Sequence, residues 1–205
     1  MVSKMQKFII TVSAIFLMAL SSIANAAVVL NATGLSGTFV TETFNINAGH
    51  GTAAASQFSG ITFNAGNVVN NDYSGSFPNM SGSVIANFDD HVGNCCTDPT
   101  SFAFSNDLSE LAFAFVSNLQ STTFSLYLNG AQVESDVIST AYSGQFINFT
   151  GLIFDEVRIT STGSNDAYLI DNMQLKSNTV PEPGTFALVG LAMIGGFARH
   201  RKTQK

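Results

Sequence analysis

TTFSLYLNGAQVESDV, residues Thr122 to Val137, is the stretch whose reading decides the fold. Phe124, Leu126 and Leu128 alternate with Ser125 and Tyr127. A period of two places the first set on one face of a strand and the second on the other. Asn129-Gly130 comes next, followed by a second alternating run, Ala131 to Val137. Asn-Gly suits a two-residue type I′ turn, because both central residues take positive φ there. The stretch therefore reads as an antiparallel hairpin.

Working outward, similar runs recur, bounded by Gly, Asn, Ser and Asp. They are Gly37–Ile46, Gln57–Phe63, Ser83–Phe88, Ser101–Phe104, Leu111–Val116, Gln145–Phe149, Phe154–Thr160 and Ala167–Leu175. This rhythm of short strands predicts an all-β antiparallel sandwich. No helix is expected between residues 27 and 178. Composition agrees: Lys, Glu and Arg, which favour helices, are scarce there, whereas Phe and small polar residues abound.

Charge sorts the chain into three parts. Between residues 27 and 178 stand two cationic residues, Arg158 and Lys176, against thirteen carboxylates, a balance near −11. Such a surface repels nucleic acid and attracts cations such as Ca²⁺. The remaining Lys and Arg cluster at the two ends.

Residues 1–26 read as a signal peptide. Lys4 and Lys7 form a positive region, Phe8–Leu20 an apolar one, and Ala24-Asn25-Ala26 offers small residues for cleavage after Ala26. A run of thirteen residues is too short for a comfortable membrane span. Export through the Sec machinery and removal by signal peptidase are expected.

Residues 179–205 read as a sorting tail. Pro181-Glu182-Pro183 is a stiff breaker, Thr185–Ala198 an apolar run, and Arg199, His200, Arg201 and Lys202 a basic end that stays cytoplasmic. As a helix the run would measure about 21 Å against a hydrocarbon core of about 30 Å. It suits transient holding in the inner membrane better than permanent anchoring. Val180, Pro181, Glu182, Pro183 and Gly184, the apolar run, and Arg199, Arg201 and Lys202 together resemble the PEP-CTERM sorting signal of exported proteins from Gram-negative, biofilm-forming bacteria. The resemblance implies cleavage by an exosortase and delivery to the cell surface or extracellular matrix.

Two further resemblances are at fold level. FNINAGHGTAAASQFSGITF, Phe44–Phe63, resembles the opening of many PEP-CTERM β-sandwich domains. FDEVRITSTGSNDAYLIDNMQL, Phe154–Leu175, resembles the closing hairpin of jelly-roll domains, carbohydrate-binding modules among them. The expected architecture is thus a jelly-roll-like sandwich between an N-terminal signal helix and a short C-terminal transmembrane helix.

Asp171 shares strand parity with Leu169, Met173 and Leu175, so it points to an apolar face and needs a partner. The jelly-roll resemblance implies a structural Ca²⁺, with Glu42, Asn45 and Asn47 as local oxygen donors. The alternative is a carboxylate bonded to backbone donors. No other cofactor is expected. Asp155 has the parity of Val157 and Ile159 and reads as a turn-bonding carboxylate. FDDHVGNCCTDP, Phe88–Pro99, gathers Asp89, Asp90, His91, Cys95, Cys96 and Asp98. It supports a Cys95–Cys96 disulfide, a metal site from His91 and a thiolate, a disulfide to another chain, or free thiols. It is the loop expected to carry function.

Enzyme motifs such as HExxH, GxSxG and the P-loop are missing, so no catalytic residue is assigned and a non-enzymatic structural or adhesive module is expected. The alternatives are a carbohydrate-binding module retaining exopolysaccharide, with Tyr73, Tyr127, Tyr142 and Tyr168 as candidate platforms, and a matrix-polymer hydrolase. Exposed aromatic rows favour the first alternative. Paired carboxylates about 5–9.5 Å apart in a groove favour the second.

Overall fold

The hairpin forms where the alternation requires it: β8 (Thr122–Leu128) and β9 (Ala131–Ile138) pair around Asn129 and Gly130, whose φ values are 52° and 78°. In the computed structural model the residues described are 27–178 apart from 56, 94, 97, 119, 120, 141, 142 and 162–165. The signal segment with Ala24 and Ala26 lies outside them. So do Tyr142 and the tail, with Val180, Pro181, Glu182, Pro183, Gly184, Arg199, Arg201 and Lys202.

The other strands are β1 (Ala27–Asn31), β2 (Val40–Glu42), β3 (Thr52–Ala53), β4 (Ile61–Phe63), β5 (Val68–Asn70), β6 (Val84–Ala86), β7 (Thr100–Ser117), β10 (Gln145–Ser161) and β11 (Tyr168–Ser177). Every pairing is antiparallel. No helix occurs among the described residues.

Two long strands, β7 and β10, belong to both layers of the sandwich. Leu111–Phe115 of β7 runs between Gln145–Phe149 of β10 and β11, and β1, β6, β5, β3 and β2 complete that layer. Thr100–Ala103 of β7 runs between β4 and Glu156–Ile159 of β10, and β8 and β9 complete the other. The passage is marked by register shifts between Thr150 and Glu156, where Gly151 takes φ 86°. Such bulges bend and twist a strand. The sequence reading split each long strand in two. The structure joins Ser101–Phe104 to Leu111–Val116, and Gln145–Phe149 to Phe154–Thr160, because the strand continues through the irregular residues between them. It also adds the short strands β1, β3 and β5 and trims Gly37–Ile46 to Val40–Glu42.

Phenylalanine fills the space between the layers. Phe124 of β8 packs on Phe113, Phe115 and Phe149 of the facing layer, with ring centroids 5.2–6.2 Å apart. A buried side chain of this size contributes about 1.5–3 kcal/mol, and a ring pair adds about 0.5–1.5 kcal/mol. The opposite face of the β7 layer is apolar as well. Ala112, Ala114 and Val116 alternate with those rings and, beside Phe146 of β10, lie under Leu35 and Met80. Large residues inward and small ones outward let loop segments cover the outer face, which gives this layer a second, thinner core.

Candidate functional site

Three loops of the β3–β5–β6 edge bring their polar residues together. The β2–β3 loop supplies His50, the β5–β6 loop Asp72, and the β6–β7 loop Asp89, Asp90 and His91. Local hydrogen bonds fix each one. The Asp72 N–H donates to Asn70 Oδ1 at 2.9 Å, and the His91 N–H to Asp89 Oδ1 at 3.1 Å. Both are side-chain turns of the kind Asn and Asp favour. Asn70, fully buried, also donates from Nδ2 to Asp90 Oδ1 at 3.3 Å. Gly51 is required where it stands: its φ is 76°, and a Cβ there would lie 2.5 Å from Asp89 Oδ2.

His50 is the centre of the group. Its Nε2 lies 3.1 Å from Asp90 Oδ1 and 3.3 Å from Asp89 Oδ1, and its Nδ1 lies 3.6 Å from Asp72 Oδ2. His91 Nε2 lies 2.9 Å from the same Asp72 oxygen. The two imidazoles stack, centroids 3.7 Å apart and planes 20° apart. Only 11% of the His50 side chain is exposed, against 59% for His91. Both His50 nitrogens are buried without a hydrogen-bond partner, although carboxylate oxygens crowd them. One donor atom each from His50, Asp72, Asp90 and His91 fits within 4.8 Å of all the others. The field of these carboxylates reaches Tyr73, whose pKa is raised first by burial and then by Asp90 and Asp72. Cys95 and Cys96, whose sulfurs lie side by side, line a cleft beside the group with Gly51, Phe88 and Asp89. The His91 side chain meets the Asp72 carboxylate.

Asp171 is placed elsewhere. It is fully buried, opposite Ala114, and accepts the Ser81 N–H at 2.7 Å and the Asn172 N–H at 2.6 Å. Burial pushes its pKa up to about 7, against the lowering effect of those two bonds. The parity expected with Met173 fails. Asn172 takes φ 47° and the register shifts, so Asp171 stays with the outer core of Leu169 while Met173 turns to the inner one. Glu42 Oε1 accepts the Phe44 N–H, Asn45 Oδ1 accepts the Ser83 N–H, and Asn47 lines a shallow groove with Asn71 and Ser74. Asp171 and Asn45 thus hold one loop, through Ser81 and Ser83. Gly82 between these two has φ 66°, and a Cβ there would meet Asn45 Oδ1 at 1.7 Å. Asp155 accepts the Asn129 N–H at 2.9 Å, capping the hairpin turn. The bulge after Phe154 leaves Phe154 and Val157 both buried, so strict alternation is broken here too.

Sequence reasoning singled out the Asp89–His91 loop and missed its partners, His50 and Asp72. The available signal was that both histidines of residues 27–178 fall in loops.

The described domain is an antiparallel β-sandwich with a histidine–aspartate group at one edge. Its chain carries the PEP-CTERM protein-sorting motif, matched over residues 179–202. The motif implies exosortase processing and an exported, cell-surface protein. No curated protein matches the chain. Among solved structures it is similar to a cleaved adhesin domain of Lys-gingipain, with 13% identity and a TM-score of 0.46 over 68% of this chain and 99% of that one. It is similar also to a variant of a family 29 carbohydrate-binding module, with 16% identity and a TM-score of 0.32 over 78% and 99%. A third is the module TmCBM61 in complex with β-1,4-galactotriose, with 12% identity and a TM-score of 0.35 over 59% and 90%.

Proposed function

We propose that this protein is delivered by exosortase to the cell surface or extracellular matrix, where its sandwich is a non-enzymatic structural or adhesive module. The observation that carries the reading is the sorting motif at residues 179–202 joined to a sandwich whose described residues display no sugar platform. Among the described residues no Phe or Tyr side chain is exposed. Tyr168 is buried against Phe115, Tyr73 packs on Phe88, and Tyr127 lies under Arg158, 3.8 Å from ring centroid to guanidinium carbon. The outer face of the β8–β9 layer bears Thr123, Ser125, Ser135, Glu156 and Arg158 beside the exposed Val137, a mixed surface suited to solvent or protein contact. The jelly-roll type of sandwich belongs to the same reading.

Cell fractionation and intact-mass analysis of the chain with and without residues 180–205 test the sorting half. The intact chain is expected at the surface or in the matrix at a processed mass, and the truncated chain is not. Unchanged location and mass would remove the reading. A glycan array probed with the secreted protein tests the other half: no sugar bound is the expected result, and selective binding of one polymer would replace the structural role by carbohydrate retention.

A further inference from the structure

We propose that His50, Asp72, Asp90 and His91 bind one divalent transition-metal ion of the zinc class, which ties the β2–β3, β5–β6 and β6–β7 loops together. The first support is spacing. Four ligands about 2.0–2.1 Å from a tetrahedral Zn²⁺ stand about 3.3 Å from one another. With one donor atom taken from each residue, the four lie within 4.8 Å of one another, close enough for a small adjustment to bring them round one ion.

The second is the state of His50. A protonated imidazole held only by ion pairs aims its N–H groups at the carboxylates. Neither His50 nitrogen makes such a bond, although both are buried and oxygens lie at 3.1–3.6 Å. A buried ring crowded by anions yet bonded to none of them calls for a cation among them.

The third is charge. Asp72, Asp89 and Asp90 converge with no Lys or Arg near them among the described residues. The two cationic residues of residues 27–178 are already engaged, Arg158 with Glu156 and Lys176 with Glu110.

Ligand type selects the ion. Imidazole with carboxylate suits zinc and its first-row neighbours, whereas Ca²⁺ takes about six to eight oxygens and no imidazole. Asp89, 3.3 Å from the same His50 Nε2 that Asp90 approaches, adds a further negative charge beside the set. The stacked rings present nearly parallel lone pairs, so one ring must turn for the set to converge. The exposed His91 is free to do so.

The test uses the full chain, purified in mild detergent with its tail intact. It is titrated by calorimetry with zinc chloride and, separately, calcium chloride, and melted in each. One zinc ion per chain is expected. At a hundredfold excess over Kd the melting temperature should rise by about 5–10 °C. Calcium should give neither effect. His91→Ala and Asp72→Asn change exposed side chains and keep the fold, so each should melt like the parent without metal. Each should also weaken zinc at least tenfold. His50→Gln should abolish binding, and His200→Ala, in the tail, should leave it intact. Absence of zinc binding, calcium binding as tight as zinc, or unchanged affinity in His91→Ala would each overturn the proposal.

Discussion

The buried space between the layers and the half-open edge around His50 belong to one domain, and they are held by opposite means. Between the layers, Phe113, Phe115, Phe124 and Phe149 contact one another without a polar atom to satisfy. At the edge, two imidazoles and three carboxylates crowd together with His50 bonded to none of them. The first region is sustained by area removed from water, which needs no particular direction. The second depends on where single protons or ions sit. A domain near −11 can concentrate its anions in loops only because its stability is supplied by the rings elsewhere.

The largest effect separates the two regions directly. Phe113→Ala should cost about 3–5 kcal/mol in urea unfolding, since the truncated ring leaves a cavity among four neighbouring aromatic rings. A cost under about 1 kcal/mol would mean that the layers can close over the gap and that the interior is less tightly specified than the ring packing indicates.

Asp171 belongs to neither region and sharpens the contrast, being a carboxyl buried in the outer core. Its folded pKa of about 7 exceeds its ordinary 3.8. The folded state therefore holds the proton more tightly. The stabilisation is fully present below about pH 4 and is lost as pH rises through about 7. Relative to Asp171→Asn, the parent should lose up to about 4 kcal/mol between pH 4 and pH 8. Parallel stability–pH curves for the two proteins would show that the Ser81 and Asn172 amides hold the ionised form at no cost.

The smallest effect lies on the outer face. Arg158 bonds Glu156 through Nε at 2.7 Å and through Nη2 at 3.1 Å and covers Tyr127, all in partial contact with solvent. Arg158→Ala should cost under about 1 kcal/mol, and salt should erase most of it. A larger, salt-insensitive loss would assign this face a structural weight like that of the interior.

Legibility in the sequence follows the range of the forces involved. The hairpin at Asn129-Gly130 was readable because alternation and turn chemistry are local. The union of Ser101–Phe104 with Leu111–Val116 was not, because the residues between them break the alternation while the strand continues. The inward turn of Met173 past Asp171 was hidden for a related reason: parity counting assumes a regular strand, and Asn172 in a left-handed conformation resets it. Asp155 as a turn-bonding residue was legible from its type, but its donor, Asn129, lies across a strand pair.

By itself the sequence determined the all-β architecture, the acidic middle and the sorting tail, since each is written in neighbouring residues as periodicity, composition or an ordered motif. Only the tertiary structure decided that His50 and Asp72 meet Asp90 and His91. Those four are scattered along the chain, and nothing in their local sequence encodes which loops the order β3–β5–β6 will bring together.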